Sequence, residues 1–501
     1  MGEVQRGIRF FLGNESGDGD ILCKPRINPR RLPKCDAQAS QRKLSRRYRG
    51  IKPSESGILI RVVARSSSAQ NLSRESFGEY QRLGYDEFLG KSIITARATM
   101  VKRRRRNQLD TRDFGPEGWI RFVRGTTGLE TCVPRDLPPE IRYDRSLIAA
   151  LSTADRALGR LGGIIEAMPN PRLLIRSFVQ REAVLSSRIE GTVSSLSDLY
   201  LFEINPRREQ ETPDVREVSN YVRALDHGIE RLKYSNLSLT VVKELHAILM
   251  DGVRGAEKSP GAFRKRQNFI SPTERIQDAS YIPPAPEHVL ERLERLEDFV
   301  NRPSEIPLLI RLAMIHYQFE AIHPFEDGNG RVGRLLISML LDRERALQHP
   351  VLYLSAFFEK HQRVYYNMLL NVSRKGDWNS WIEFFLRGVA DQSIDAVERS
   401  RSLFALRDRW IGRYRKTRAS TLLLNLIDSL FINPYVDASQ AKRELNVGRQ
   451  SAQNHIAKLL DEGILEEITG RTRNRVYCAR EIVRILEATP SLDEPEPLAT
   501  P

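Results

Sequence analysis

Twelve consecutive residues, His323-Pro324-Phe325-Glu326-Asp327-Gly328-Asn329-Gly330-Arg331-Val332-Gly333-Arg334, bring together groups that could act on a phosphate. A Gly328-Asn329-Gly330 turn that feeds a helix exposes unpaired N–H groups at the positive helix end, and glycine lets an anion come close. Arg331 and Arg334 are three apart on that helix, so both guanidinium groups are expected to reach one anion. Asp327, at the mouth of the turn, suits a hard Mg²⁺ that bridges phosphates. His323 titrates near neutrality and can accept a proton from an incoming hydroxyl. Taken singly, a histidine after an apolar helix is ordinarily a packing or capping residue, and an Asp-Gly pair is ordinarily a turn. Together they are the parts for attack of a hydroxyl on a nucleotide phosphorus.

Gly328, Gly330 and Gly333 also satisfy G-x-G-x-x-G. A dinucleotide fold needs a strand just before the first glycine and an acidic residue about 20 positions on. The preceding segment is helical and no βαβ alternation surrounds it, which rejects that fold. No G-x-x-x-x-G-K-[ST] loop is present.

Helices must position this stretch. Leu308, Leu309, Leu312, Ile315, Phe319 and Ile322 recur mostly at spacings of three and four, predicting a helix buried on one face that ends at the motif. A second apolar run, Leu335 to Leu341, restarts after it. Leu173, Leu174, Phe178 and Leu185 predict an amphipathic helix that starts after Pro171. Between Pro260 and Pro286, Asn268 to Ile270 and Tyr281 to Ile282 read as a short hairpin. Residues 418–486 follow a different pattern. Three short helices (Leu422 to Leu430, Ala438 to Leu445, Arg449 to Leu460) precede two strands around Thr469-Gly470, as in a winged helix. The expected class is mainly α. The expected division is a basic extension at 1–115, an N-terminal helical region at 116–200 and a core at 201–400. A linker at 401–417, the winged helix at 418–486 and a tail at 487–501 follow.

The chain has 501 residues, 40% hydrophobic and 29% charged, ordinary for a globular protein. Its net charge of +15 is local. Residues 1–110 hold 24 Lys/Arg against 11 Asp/Glu, including the run Lys102 to Arg106, and the remainder is nearly balanced. The extension therefore reads as solvated, with nucleic acid as a second use of the run and Met100 as an alternative start. Cys23, Cys35, Cys132 and Cys478 are scattered, with no C-x-x-C pair, and no apolar run reaches membrane-spanning length. A cytoplasmic protein without a membrane partner is expected.

His323 to Arg334 resembles the signature of the Fic family, H-P-F-x-[DE]-G-N-G-R-x-x-R, at every specified position. The resemblance runs from about Gly118 to Arg399 and takes in Arg176, Arg181 to Ala183, Leu185 to Ser187, Ile189 to Gly191, Pro260-Gly261 and Phe263-Arg264. It implies a Fic-like helical bundle with a β-hairpin flap. It further implies ATP as substrate, and transfer of AMP to a Tyr, Thr or Ser hydroxyl of a protein target. By resemblance, His323 is the general base, Asp327 holds Mg²⁺, and Gly328, Asn329 and Gly330 cradle the α-phosphate. Arg331 and Arg334 take the β- and γ-phosphates, Tyr365 lines the adenine side, and a flap bounded by Asn268 and Tyr281 docks the target. Transfer of UMP, or removal of AMP by a hydrolase that uses Glu190 to position water, stays open.

Ser186 and Glu190 match the family's inhibitory pattern, [ST]-x-x-x-E-[GN], and share a helix face. A Glu before a glycine C-cap is common by itself. The resemblance implies instead that Glu190 pairs with Arg334 in the place of the γ-phosphate. In the C-terminal unit, Arg449, Gln450, Gln453 and, at the hairpin tip, Arg473 suit major-groove edges and phosphates. Glu466 and Glu467 beside them suit a docking or homodimer role. DNA and protein partners both stay open, as does a DNA-binding regulator whose Fic unit modifies itself or senses ATP.

Overall fold

The computed structural model of the chain describes residues 111–488, apart from 169, 205–212, 255–256, 274, 348, 350 and 416–419. The basic extension through residue 110, with its Lys102 to Arg106 run and Met100, lies outside the described residues, as do 489–501 of the tail.

After a single 3-10 turn at Thr111–Asp113, the first elements are strands. β1 (Ile120–Arg124) and β2 (Glu130–Pro134) form an antiparallel hairpin in which Phe122 faces Cys132. β-formers flank a Gly125 to Gly128 turn whose last glycine takes φ +81°. The region expected at 116–200 opens with this hairpin, and its helices begin with α1 (Arg145–Glu166), whose N-cap Asp144 accepts from the Leu147 N–H. Next come α2 (Arg172–Ile189), α3 (Leu196–Ile204), α4 (Pro213–Leu232), α5 (Leu239–Leu249) and α6 (Pro286–Asn301). The two helices that bracket the motif are α7 (Leu308–Ile322) and α8 (Asn329–Arg343).

α7 is buried on nearly every side, not on one face. Two of its polar side chains donate to backbone carbonyls of neighbouring segments, as burial favours. Arg311 donates to the carbonyls of Phe299, Val300 and Arg302, capping the end of α6. Gln318 donates to the Arg135 carbonyl at 2.8 Å.

α9 (Ser355–Lys360), α10 (Gln362–Lys375) and α11 (Trp378–Arg415) complete the bundle, with α11 packed along α1. The segment expected as a linker at 401–417 is, through Arg415, the last part of the 38-residue α11. Leu403, Leu406, Trp410 and Tyr414 keep helical spacing and stay buried, so the periodicity runs past the expected boundary.

The remaining unit comprises α12 (Thr421–Ile432), β3 (Tyr435–Asp437), α13 (Ala438–Leu445), α14 (Arg449–Asp461), β4 (Glu466–Glu467), β5 (Val476–Cys478) and α15 (Arg480–Glu487). Its sheet has the order β3-β5-β4. β3 had no sequence signal: a three-residue strand is too short for alternation to register. No helix among the described residues is long and apolar enough to cross a membrane. Cys132 and Cys478 are free and buried.

Candidate active site

His323 ends α7 in the left-handed conformation, φ 51° and ψ 60°. Such a turn is costly for a side chain with a Cβ, and its surroundings hold it. Arg264 Nε donates to the His323 carbonyl at 2.9 Å and Asn268 Nδ2 at 3.3 Å, while Asn268 also donates to the Phe325 carbonyl at 2.9 Å. His323 Nδ1 lies 3.3 Å from the Glu320 carbonyl. A carbonyl can only accept, so Nδ1 carries the proton and Nε2 keeps its lone pair. Burial, then the nearby Arg264 guanidinium, push the imidazole down to about 4. At neutral pH it is an uncharged proton acceptor.

The loop after His323 is tied from within. Asn329 Oδ1 accepts from the Phe325 N–H at 2.8 Å and its Nδ2 donates to the Phe325 carbonyl at 2.9 Å, so this side chain staples the turn. Gly328 takes φ +76°, and a Cβ there would meet Met250 Sδ at 3.2 Å. Asp327 Oδ1 accepts from the Gly328 N–H at 2.7 Å and its Oδ2 from Lys258 at 3.2 Å. Among the described residues no group of three His, Cys, Asp or Glu could hold a metal. Asp327 is a single, partly exposed carboxylate paired with Lys258, a donor that fits Mg²⁺ where waters and substrate oxygens complete the ligand set.

At the start of α8, Glu190 comes in from the end of α2. Arg334 is almost fully buried, and its NH2 donates to Glu190 Oε1 at 2.7 Å and to the Ser186 carbonyl at 3.0 Å. Its Nε donates to Ser186 Oγ at 2.8 Å. Burial works against its charge, but Glu190, Tyr365 and Glu320 more than offset this and raise its pKa. A Cβ on Gly330 would lie 2.2 Å from Glu190 Oε1, so the carboxylate rests directly against the glycine turn. Ser186 and Glu190 thus grip one guanidinium from a single helix face.

Arg331 departs from the expected geometry. It points away from Arg334 and pairs with the buried Glu217 at 3.3 Å, with Asp327 Oδ1 at 3.7 Å. The two arginines therefore serve different carboxylates here, because a buried cation takes a buried anion where one is at hand. Tyr365 is 1% exposed and its hydroxyl donates to His316 Nε2 at 2.8 Å, so the ring is a core element with no face open to a ligand. Its neighbour Tyr366 is exposed. Tyr281 is likewise buried, donating to the Ala321 carbonyl at 3.1 Å, and the expected hairpin is a single bridge between Ile270 and Tyr281.

Several supporting residues had no assigned role. His246 stacks on Phe325 at 3.7 Å, accepts from the Gly261 N–H at Nδ1 and donates from Nε2 to the Asp327 carbonyl. Burial pushes it down to about 4, keeping the ring neutral for that bridge. Glu320, one turn before His323, is pushed up to about 8 by burial, and its Oε1 has no hydrogen-bond partner. A lone histidine on an amphipathic helix carries no sequence signal. A carboxylate on an apolar helix face does: Glu217 lies among Val215, Val218 and Tyr221 and demands a buried cation. A cavity of about 420 Å³ opens elsewhere, behind α2 between Arg181, Phe357 and Leu486, and touches none of these groups.

Residues 148–230 match the family model described as Fic/DOC family N-terminal, and residues 236–341 match that of the Fic/DOC family itself. Residues 148–341 are thus similar to the Fic/DOC family. A Nematostella vectensis protein named protein adenylyltransferase Fic is 31% identical over 198 residues, 37% of this chain and 42% of that one. Protein adenylyltransferase fic-1 of Caenorhabditis elegans is 27% identical over 180 residues, 36% of this chain and 31% of its own length. The Fic unit here therefore spans less than half the length of either relative. The structure of a Fic family protein from Desulfovibrio desulfuricans G20 aligns with a TM-score of 0.46 at 20% identity, over 68% of this chain and 98% of that one.

Proposed function

We propose that the Fic unit is a protein adenylyltransferase restrained by its own Glu190. The reaction class follows the relatives' name. The observation that carries the restraint is the Glu190 carboxylate, bound to Arg334 and lying against Gly330, where the cradle would receive the phosphates.

In the released state, neutral His323 accepts the proton of a Tyr, Thr or Ser hydroxyl at Nε2 while the oxygen attacks the α-phosphorus of ATP. A new P–O bond forms, the bond to the leaving pyrophosphate breaks, and AMP stays on the target. The backbone N–H groups at the start of α8 face the growing negative charge, and Arg334, freed from Glu190, meets the terminal phosphate. Arg331 steadies the cradle from Glu217. Asp327 would hold Mg²⁺, which neutralises phosphate charge when bound. His246, Asn268 and Arg264 fix the loop so that His323 and the cradle keep their spacing.

Intact-mass analysis after exposure to Mg·ATP, alongside labelled ATP with cell lysate, tests this. Glu190→Gly is expected to transfer AMP about tenfold faster than the native chain or more, and His323→Ala to transfer none. Equal rates for Glu190→Gly and the native chain would remove the restraint. Label from UTP alone, or release of AMP from a modified protein without transfer, would replace the reaction.

A further inference from the structure

The C-terminal unit carries a charged surface that nucleotide transfer does not use. Its order of α12, β3, α13, α14, β4 and β5 is that of a winged helix, with a short turn from Asn446 to Gly448 joining α13 to α14. Asn446 closes α13 in the left-handed conformation, φ 49°, which turns the chain sharply into α14. α14 buries Ala452, His455, Ile456 and Leu459. It turns Arg449, Gln450, Gln453, Asn454, Ala457 and Lys458 to solvent. Arg471, Arg473 and Arg475 are exposed at the tip between β4 and β5.

Three carboxylates near this face are engaged, while Asp461 is exposed at the far end of α14 from Arg449. Glu466 pairs with Arg480 at 2.5 Å, and Glu462 with Arg413 at 3.7 Å. Glu467 accepts from the N–H groups of Thr469 at 2.8 Å and Gly470 at 3.2 Å. Among the described residues, no carboxylate forms an ion pair with Arg449, Lys458, Arg471 or Arg473. Glu466 and Glu467, which spoke for a docking role in the sequence, are thus spent on the sheet and its turn.

We propose that this face binds duplex DNA, with α14 in the major groove and the β4–β5 tip on the flanking backbone. The major groove of B-form DNA admits one helix, and a helix entering it presents its first residues to base edges; here these are Arg449, Gln450 and Gln453. Ala457 has no long side chain to hold the helix away. The tip arginines neutralise phosphates, which sets affinity without reading sequence. The row of amides on α14 suits base edges better than it suits an acidic protein surface. The groove of an RNA duplex is too deep and narrow for the helix.

Fluorescence anisotropy of a labelled mixed-sequence DNA duplex, titrated with the full chain at several salt concentrations, tests this. Binding is expected to weaken steeply with salt. The variant Arg449→Ala/Lys458→Ala/Arg471→Ala/Arg473→Ala should bind at least tenfold more weakly, its salt slope falling by about one for each phosphate no longer neutralised. All four residues are exposed, and an unchanged melting temperature checks that the variant is folded. Alanines in the Lys102 to Arg106 run are the control, because that run is also basic. The proposal is overturned if the four-alanine variant keeps the native affinity and salt slope, if only the Lys102 to Arg106 alanines weaken binding, or if an RNA duplex binds equally well.

Discussion

His323 holds its proton on Nδ1 and its lone pair on Nε2 because one backbone carbonyl lies within reach of the ring. Its pKa is lowered to about 4, so acidification protonates the ring only far below neutrality. Transfer by Glu190→Gly should therefore be flat, as far as this base is concerned, from about pH 8 down to about pH 5, and be lost as the pH falls through about 4. Single-turnover rates across that range check it. An inflection near the ordinary histidine value of about 6.5 would mean that the ring is not held as described. The residue types of the proposed site were legible because most of them lie in twelve consecutive positions. The partner of Arg331 was not, since Glu217 is more than a hundred positions away and only the packing of α4 on α8 brings it near.

The close approach of α7 and α8 depends on the absence of a side chain at Gly333. A Cβ there would lie 2.3 Å from Glu320 Oε1 and 3.3 Å from His316. Gly333→Ala gains about 1 kcal/mol of helix propensity but overpacks a filled interior at a cost of about 1–3 kcal/mol. The net is expected to be destabilising by about 1 kcal/mol. In a Glu320→Ala background the obstacle is gone and the same change should turn neutral or stabilising. Urea melts of the four variants measure this, and additive effects would count against it. The helices themselves were readable from spacing, including α2, α7 and α8. Burial of α7 on all sides was not, because Arg311, His316 and Gln318 read as a solvent face until their partners are known.

Described residues of the bundle and the C-terminal unit are joined by buried and partly buried polar contacts. Ser177 Oγ donates to the Phe431 carbonyl at 2.9 Å, and Tyr435 donates to Ser197 Oγ at 2.8 Å. Arg407 holds Asp428 through two hydrogen bonds. Arg399 pairs with the buried Asp395 at 2.8 Å and also donates to the carbonyls of Ile485 and Ala488 at the end of α15. The two parts are expected to unfold together, in one calorimetric transition. Arg399→Ala should lower it as a whole, by about 3 kcal/mol, since it leaves Asp395 with Arg181 alone and two helix-end carbonyls bare. Two well-separated peaks would show instead that α11 does not couple them.

From its amino acids alone this chain declared a helical class, a glycine turn with the features of a phosphate site, a histidine before it, and a serine and a carboxylate on one helix face. Each of these is local, set by neighbours a few positions apart. Folding decided what needed distant residues: that Glu190 lies against Gly330, that Arg331 turns to Glu217, that Tyr365 is interior and Tyr366 is not. It also showed that the helix expected to end near residue 400 runs on to Arg415. Such outcomes depend on which surfaces exclude water together, and no short-range pattern carries that information.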